Sequence, residues 1–91
     1  MQLKAITMAK KVAIYTTPTC VYCRAAKELF RENDIAYEEY NVAQDMARQE
    51  EMIHKSGQLG VPVITIADEK GTENVVVGFN KPRLKELLEI N

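Results

Sequence analysis

Tryptophan is missing from this chain, histidine occurs once and cysteine only twice. Each shortage narrows what the protein can be. Two cysteines cannot build the multiple disulfide framework that holds small secreted domains together. With a single histidine they also fall short of the four ligands a structural zinc site takes. Neither sign of charge dominates: 12 Lys and Arg stand against 13 Asp and Glu, a net charge of −1 at pH 7. That balance leaves no electrostatic footprint for nucleic acid or for an anionic membrane surface. No apolar run reaches the roughly 20 residues of a membrane-spanning helix. The opening MQLKAITMAKK lacks the apolar core and small-residue cleavage site of a signal peptide, so a cytoplasmic location is the expectation. Met8 begins a second start-like run, MAKKVAIY, so Met1 to Thr7 read as an added stretch, and the division expected is an N-terminal extension over residues 1–10 and the domain over 11–91.

What is present is the ordinary balance of a globular protein, 91 residues with 46% hydrophobic and 27% charged. That length gives one domain with one core. Val12-Ala13-Ile14-Tyr15 is a short continuous apolar run, the pattern of a strand buried on both faces. After Pro18 the period lengthens: Tyr22, Ala25, Ala26, Leu29 and Phe30 form one helical stripe, and Asn33-Asp34 stops it. Ile35 to Val42 reads as a polar edge strand and Asp45 to Ser56 as a charged second helix closed by Gly57. Val61 to Ala67 is a third strand with Pro62 near its start. The turn Asp68-Glu69-Lys70-Gly71 and the return strand Glu73 to Phe79 make a hairpin. Asn80 caps a last helix with Pro82 in its first turn and Leu84, Leu87 and Leu88 inside. The order predicts a right-handed parallel β-α-β unit followed by an antiparallel hairpin, hence a mixed four-stranded sheet with helices on both faces.

The chemistry lies in Cys20-Val21-Tyr22-Cys23. As a structural disulfide the pair would close a very small loop, which constrains the unfolded chain little, and a reducing compartment disfavours it. As a metal half-site it needs a second subunit, because His54 sits on a polar helix where a solvated imidazole is the simpler reading. As working thiols it fits its place. Cys20 stands where a buried strand gives way to a helix, beside unpaired N–H donors and the positive end of the helix dipole. Such a setting lowers a thiol pKa from about 8.5 into the range of roughly 3.5–7.5, and Arg24 can add a favourable charge. Cys23 follows one turn behind, within reach of a mixed disulfide formed at Cys20. A C-x-x-C beside a β-α-β pattern is a signal for a thioredoxin-like redox site. A second feature is Gly60-Val61-Pro62, either a proline at the start of a strand or a cis peptide at Val61–Pro62.

Taken together, Ile14-Tyr15-Thr16 leading into Cys20-Val21-Tyr22-Cys23, then Gly60-Val61-Pro62-Val63, then Val77-Gly78-Phe79, resemble the glutaredoxin branch of the thioredoxin superfamily. The resemblance implies a β-α-β-α-β-β-α thioredoxin-like fold. It makes Cys20 the exposed nucleophile, Cys23 the resolving thiol and Pro62 a cis residue facing the disulfide. The substrate and glutathione surface it implies comprises Thr17, Tyr22, Val61, Pro62, Gly78, Phe79 and Asn80. Tyr22 matches the tyrosine of the family's C-P-Y-C motif, and its other reading is a core-packed residue of the helix stripe. Four departures stand out. Val21 replaces the family's proline, Thr17 a glutathione-binding lysine, and Gly60 the threonine before Val-Pro. Val77-Gly78-Phe79-Asn80-Lys81 replaces the Gly-Gly and Asp that cap a helix over the γ-glutamyl carboxylate. Lys81 and the last helix still offer donors for a carboxylate.

These features lead to a monomeric thiol–disulfide oxidoreductase acting on protein or small-molecule disulfides, with no tightly bound cofactor and with glutathione as candidate co-substrate. The Val-Gly-Phe ending resembles small redoxins reduced by thioredoxin reductase that supply electrons to ribonucleotide reductase, which makes that reductase the alternative electron donor. An iron–sulfur or metal carrier built from Cys20 of two subunits is a second alternative, and a thioredoxin-like adaptor without redox chemistry is a third.

Overall fold

The computed structural model describes residues 10–90 of the chain. The extension expected over residues 1–10 therefore falls, apart from Lys10, outside the described residues. The elements run β1 Lys11–Thr16, α1 Val21–Glu32, β2 Glu38–Asn41, α2 Met46–Ser56, β3 Val63–Ala67, β4 Glu73–Val77 and α3 Lys81–Leu88. They form one four-stranded sheet in the order β2-β1-β3-β4. β1 pairs with β2 in parallel and with β3 antiparallel, and β4 returns antiparallel along β3. The expected mixed sheet is present, with β2 at one edge.

Strand alternation sorts the core into two layers. On one face Val12 and Ile14 of β1, Ile64 and Ile66 of β3 and Val76 of β4 pack with Ala26, Leu29 and Phe30 of α1 and Leu84 of α3. On the other face Tyr15 and Val63 pack with Val42 and with Met52 of α2. Two helices thus cover one face and one covers the other. β1 is buried from Val12 to Thr16 because it is central and covered on both sides, which is why its sequence is a continuous apolar run rather than an alternation.

Several boundaries differ from the sequence reading, each for a local reason. β2 begins at Glu38, not Ile35. Asp34 takes a left-handed φ of 55° and the Ile35 N–H donates to the Phe30 carbonyl, 2.9 Å, so the chain is still closing α1 there. Ile35 and Tyr37 pack against the first core layer from this connection. α2 begins at Met46, with Asp45 as its cap, its side chain accepting the Arg48 N–H. β3 begins at Val63, after Pro62, which has no N–H for the ladder. β4 ends at Val77, because Gly78 turns the chain with φ 80°. The hairpin turn and the stop of α2 at Gly57, φ 76°, fall where the sequence puts them.

The topology gathers one end of the sheet. The C-terminal end of β1, the start of β3 and the end of β4 lie side by side, since Tyr15 pairs with Val63 and Val63 with Val77. The segments that extend from these ends carry Thr17 to Cys23, Leu59 to Pro62 and Gly78 to Asn80.

Candidate active site

Cys20 is the N-cap of α1, with φ −84° and ψ 113° in the extended region. Its Sγ accepts the backbone N–H of Cys23 at 3.0 Å, the bond a serine or aspartate makes at such a position. A sulfur in this place answers one of the donors that every helix start leaves unpaired. The two cysteines form a disulfide with their Cα atoms 5.2 Å apart. Their environments differ: Cys20 is partly exposed, whereas Cys23 is 1% exposed and turned into the protein. One sulfur is open to an incoming partner and the other is sheltered.

The rest of the first turn is arranged differently from the helical stripe read in the sequence. Tyr22 is 66% exposed and Val21 67%, so Tyr22 is not a core residue. The buried stripe of α1 is Cys23, Ala26, Leu29 and Phe30. A cysteine set three before Ala26 takes the inward position, which rotates Tyr22 out beside the disulfide. Arg24 is exposed and donates to the Pro18 carbonyl at 3.3 Å, bracing the loop before Cys20. Thr17 is partly buried, and its carbonyl accepts the Cys20 N–H at 3.3 Å.

Across the sheet end, the Val61–Pro62 peptide is cis. Pro62 is buried and its carbonyl accepts the Gly78 N–H at 2.8 Å, which ties the loop before β3 to the end of β4. Phe79 packs against the first core layer. Asn80 caps α3, its Oδ1 accepting the Arg83 N–H at 3.2 Å. Lys81 follows, exposed. The sequence reading passed over Leu59, which is 61% exposed in the loop before Val61, and Val77, 49% exposed at the end of β4. With Val21 and Tyr22 they are exposed apolar side chains on the segments that extend from this end of the sheet.

Also missed was a polar cluster below α1. Thr16 is 2% exposed at the end of β1 and donates its hydroxyl to Glu39 Oε2 at 2.8 Å. Lys27 Nζ donates to the same oxygen at 2.8 Å. The Lys27 ammonium, with help from the Thr16 hydroxyl, holds the Glu39 carboxyl below the usual carboxylate range. The signal available in sequence was Lys27 at four residues from Cys23, on the adjoining turn.

A second charged network lies elsewhere. The Tyr15 hydroxyl donates to Glu51, and Arg48 pairs with Glu51 while lying over the Tyr40 ring, 3.9 Å from its centroid. Burial first, and then Glu51, push the Tyr15 phenol upward. The network borders a cavity of about 190 Å³ floored by Ala13, Thr65 and Ala67. Neither cysteine lines it. His54 is exposed on α2, and among the described residues no three His, Cys, Asp or Glu side chains converge as metal ligands. No helix among them is long and apolar enough to cross a membrane.

A capped, half-open cysteine pair at a strand-to-helix junction, at the same end of a β-α-β-α-β-β-α sheet as a cis-proline loop, defines a thioredoxin-like protein with a dithiol site. The Glutaredoxin family model matches residues 12–70. Over 78 residues the chain is 44% identical to an uncharacterized glutaredoxin-like 8.6 kDa protein in the rubredoxin operon of Clostridium pasteurianum, covering 86% of this chain and 97% of that one. Among solved structures, a glutaredoxin from Archaeoglobus fulgidus superposes with a TM-score of 0.74 at 25% identity, covering 97% of this chain and 95% of its own. The glutaredoxin-like NrdH-redoxin of Escherichia coli superposes with a TM-score of 0.68 at 26% identity, covering 85% of this chain and 93% of its own. The chain belongs to the glutaredoxin family, and that membership together with its Cys20–Cys23 pair supports a thiol oxidoreductase.

Proposed function

We propose that the protein reduces disulfides of other proteins by a dithiol mechanism. The observation that carries this reading is the asymmetry of the pair: Cys20 is capped and partly open, while Cys23 is buried one turn behind it. In the reduced protein the Cys20 thiolate, stabilised by the Cys23 N–H and the helix start, attacks one sulfur of the partner's disulfide. A mixed disulfide forms and the partner's other sulfur leaves as a thiolate. Cys23 then loses its proton and attacks Cys20 Sγ, which restores the internal disulfide and frees the partner's second thiol. Two electrons pass from this protein to the partner. The edge offered by Val61 supplies backbone groups for an extended partner segment, a short β-like pairing.

For the return of electrons, the site favours a protein reductase over glutathione. Position 17 offers no cation, and the start of α3 is already capped by the Asn80 side chain, which occupies a donor that a carboxylate ligand would use. The apolar side chains Val21, Tyr22, Leu59 and Val77 suit a protein surface better than a charged tripeptide. The NrdH-redoxin among the structural relatives is described as having a thioredoxin-like activity profile, which supports a thioredoxin reductase as the donor assigned here. Glutathione contacts at Thr17, Gly78 and Asn80 are correspondingly weak. No cofactor is required for the exchange, and a reducing compartment such as the cytoplasm is its setting.

The test compares reductants on the oxidised protein: glutathione with its reductase, and NADPH with thioredoxin reductase, each run with wild type, Cys20→Ser and Cys23→Ser. Fast reduction by the reductase, abolished in Cys20→Ser, is expected. Equal or faster turnover with glutathione alone would overturn the choice of donor, and full activity in Cys20→Ser would overturn the redox function.

A further inference from the structure

We propose that the ion pair of Lys27 and Glu39 is a positioning device that sets the proton affinity of Cys23 and so the rate of the resolving step. The inference rests on the dithiol reading above, and concerns residues that the reading does not use.

Cys23 has to give up a proton before it can attack, and its surroundings oppose this. It is 1% exposed, and burial disfavours a thiolate. On the same side of its helix as Cys23 is Lys27, four residues on, where side chains of adjoining turns stand about 5–6 Å apart at Cβ. A bare ammonium there would favour the thiolate strongly. It is not bare. Glu39 takes it at 2.8 Å, and Thr16, itself 2% exposed, takes the same Glu39 oxygen from the other side, also at 2.8 Å. The sheet register explains why this carboxylate is available. Glu39 lies opposite Ile14 in the parallel pair, so it shares the face that α1 covers, and Thr16 follows Ile14 on that face. Thr16 anchors the carboxylate, the carboxylate anchors the ammonium, and Lys27 itself stands one helical turn after Cys23.

The ionisable and charged groups on the elements around Cys23 are few. On its own helix, beyond the Cys20 cap, Tyr22, Arg24, Glu28, Arg31 and Glu32 are exposed, Arg24 bonded to the Pro18 carbonyl and Arg31 paired with Glu28, which leaves Lys27 as the partly buried charge. β1 contributes the Thr16 hydroxyl, and β2 contributes Glu39. Val61 and Pro62 before β3, and Gly78 and Phe79 after β4, bring none; Lys81 is exposed at the start of α3. The paired charges of Lys27 and Glu39 therefore hold the local field near neutrality. This keeps Cys23 protonated while Cys20 is the attacking thiolate, so that the two thiols do not compete for the partner. In the resolving step Cys23 releases its proton to solvent. Its thiolate then forms the bond to Cys20 Sγ, and the partner's sulfur leaves with the electron pair of the broken bond.

The cluster makes a prediction that a merely structural ion pair does not. Removing either partner of a structural pair weakens the fold in the same direction, whereas the two charges act on a thiol with opposite signs. The probe is the pH titration of the Cys23 Cβ chemical shift, measured in a Cys20→Ser background where Cys23 is the only thiol. Glu39→Gln leaves the ammonium unneutralised and is expected to lower the Cys23 pKa by on the order of one pH unit, about tenfold in thiolate population, taking an effective dielectric near 20. Lys27→Met leaves the carboxylate alone and is expected to raise it by a similar amount. Lys27→Arg keeps the charge and is expected to restore the parent value, and the double variant Lys27→Met with Glu39→Gln to return near it. Shifts of the same sign in the two single variants, or no shift in either, would overturn the proposal. Because the titration needs no partner and no turnover, it stands apart from the reductant comparison: loss of the proposed function would show there, and loss of this inference would show here.

Discussion

The Cys20 thiol should titrate well below an ordinary cysteine, and the structure sets the size of the effect. Reduction of the disulfide leaves Cys20 at the N-cap of α1, within reach of the Cys23 N–H that its sulfur accepts at 3.0 Å. A hydrogen bond to a charged acceptor contributes about 1.5–3 kcal/mol. The helix start adds about 0.3–1 kcal/mol for a negative charge. Together they favour the thiolate by about 2–4 kcal/mol, which at 1.36 kcal/mol per unit is about 1.5–3 pH units. The Cys20 pKa is therefore expected below the ordinary cysteine value of about 8.5. The assay is the rate of alkylation by iodoacetamide against pH in Cys23→Ser, which keeps the residue-23 N–H and leaves one thiol, with ultraviolet thiolate absorbance as a second readout. A midpoint at or above about 8.5 would refute the claim that the cap activates this sulfur, and with it the assignment of Cys20 as nucleophile.

Other consequences are open to simple measurement. Met52 is fully buried at the centre of the α2 layer, so Met52→Ala should cost about 2–5 kcal/mol and lower the melting temperature by about 10 °C or more, while the Cys20 titration stays in place because α1 packs on the other face. Gly78 has φ 80° with open space where a Cβ would stand, so Gly78→Ala should cost only the backbone strain of about 1–2 kcal/mol, read by urea unfolding; a much larger loss would mean a steric clash that this geometry lacks. For pH, Lys27 holds the Glu39 carboxyl below its usual range, with Thr16 assisting. A depressed carboxylate contributes stability above its unfolded pKa of about 4.3 that is lost as pH falls through the folded value. Urea midpoints of wild type should therefore drop more steeply between pH 5 and pH 3, values chosen to bracket that titration, than those of Lys27→Met. Cys23→Ser should retain the first attack yet stall at the mixed disulfide with protein partners, visible as a trapped adduct on non-reducing electrophoresis.

Much of this protein was written locally. The continuous run Val12 to Tyr15 announced a strand covered on both sides, and burial of that whole stretch agrees. Gly57, Gly71 and the Asn80 cap marked their boundaries because positive φ and unpaired helix donors are matters of a few neighbouring residues. The cysteine pair was legible for the same reason, since spacing along one helical turn is a local property. Less visible was anything depending on which way a side chain is turned. Tyr22 fitted a helical stripe on paper, but once Cys23 occupied the inward position the tyrosine was carried to the surface. β2 was expected from Ile35, yet the left-handed Asp34 and the closing bond of α1 delayed it to Glu38. The sequence by itself determined where the thiols stand and that the first of them caps a helix, because backbone donors at a helix start exist wherever the helix begins. Only the tertiary structure decided what surrounds them. Glu39, sixteen residues beyond Cys23, meets Thr16 and Lys27 because a parallel strand register sets it on the face that α1 covers, and the start of β3 and the end of β4 come to the end of the sheet where β1 leads to the cysteines because antiparallel pairing returns them there.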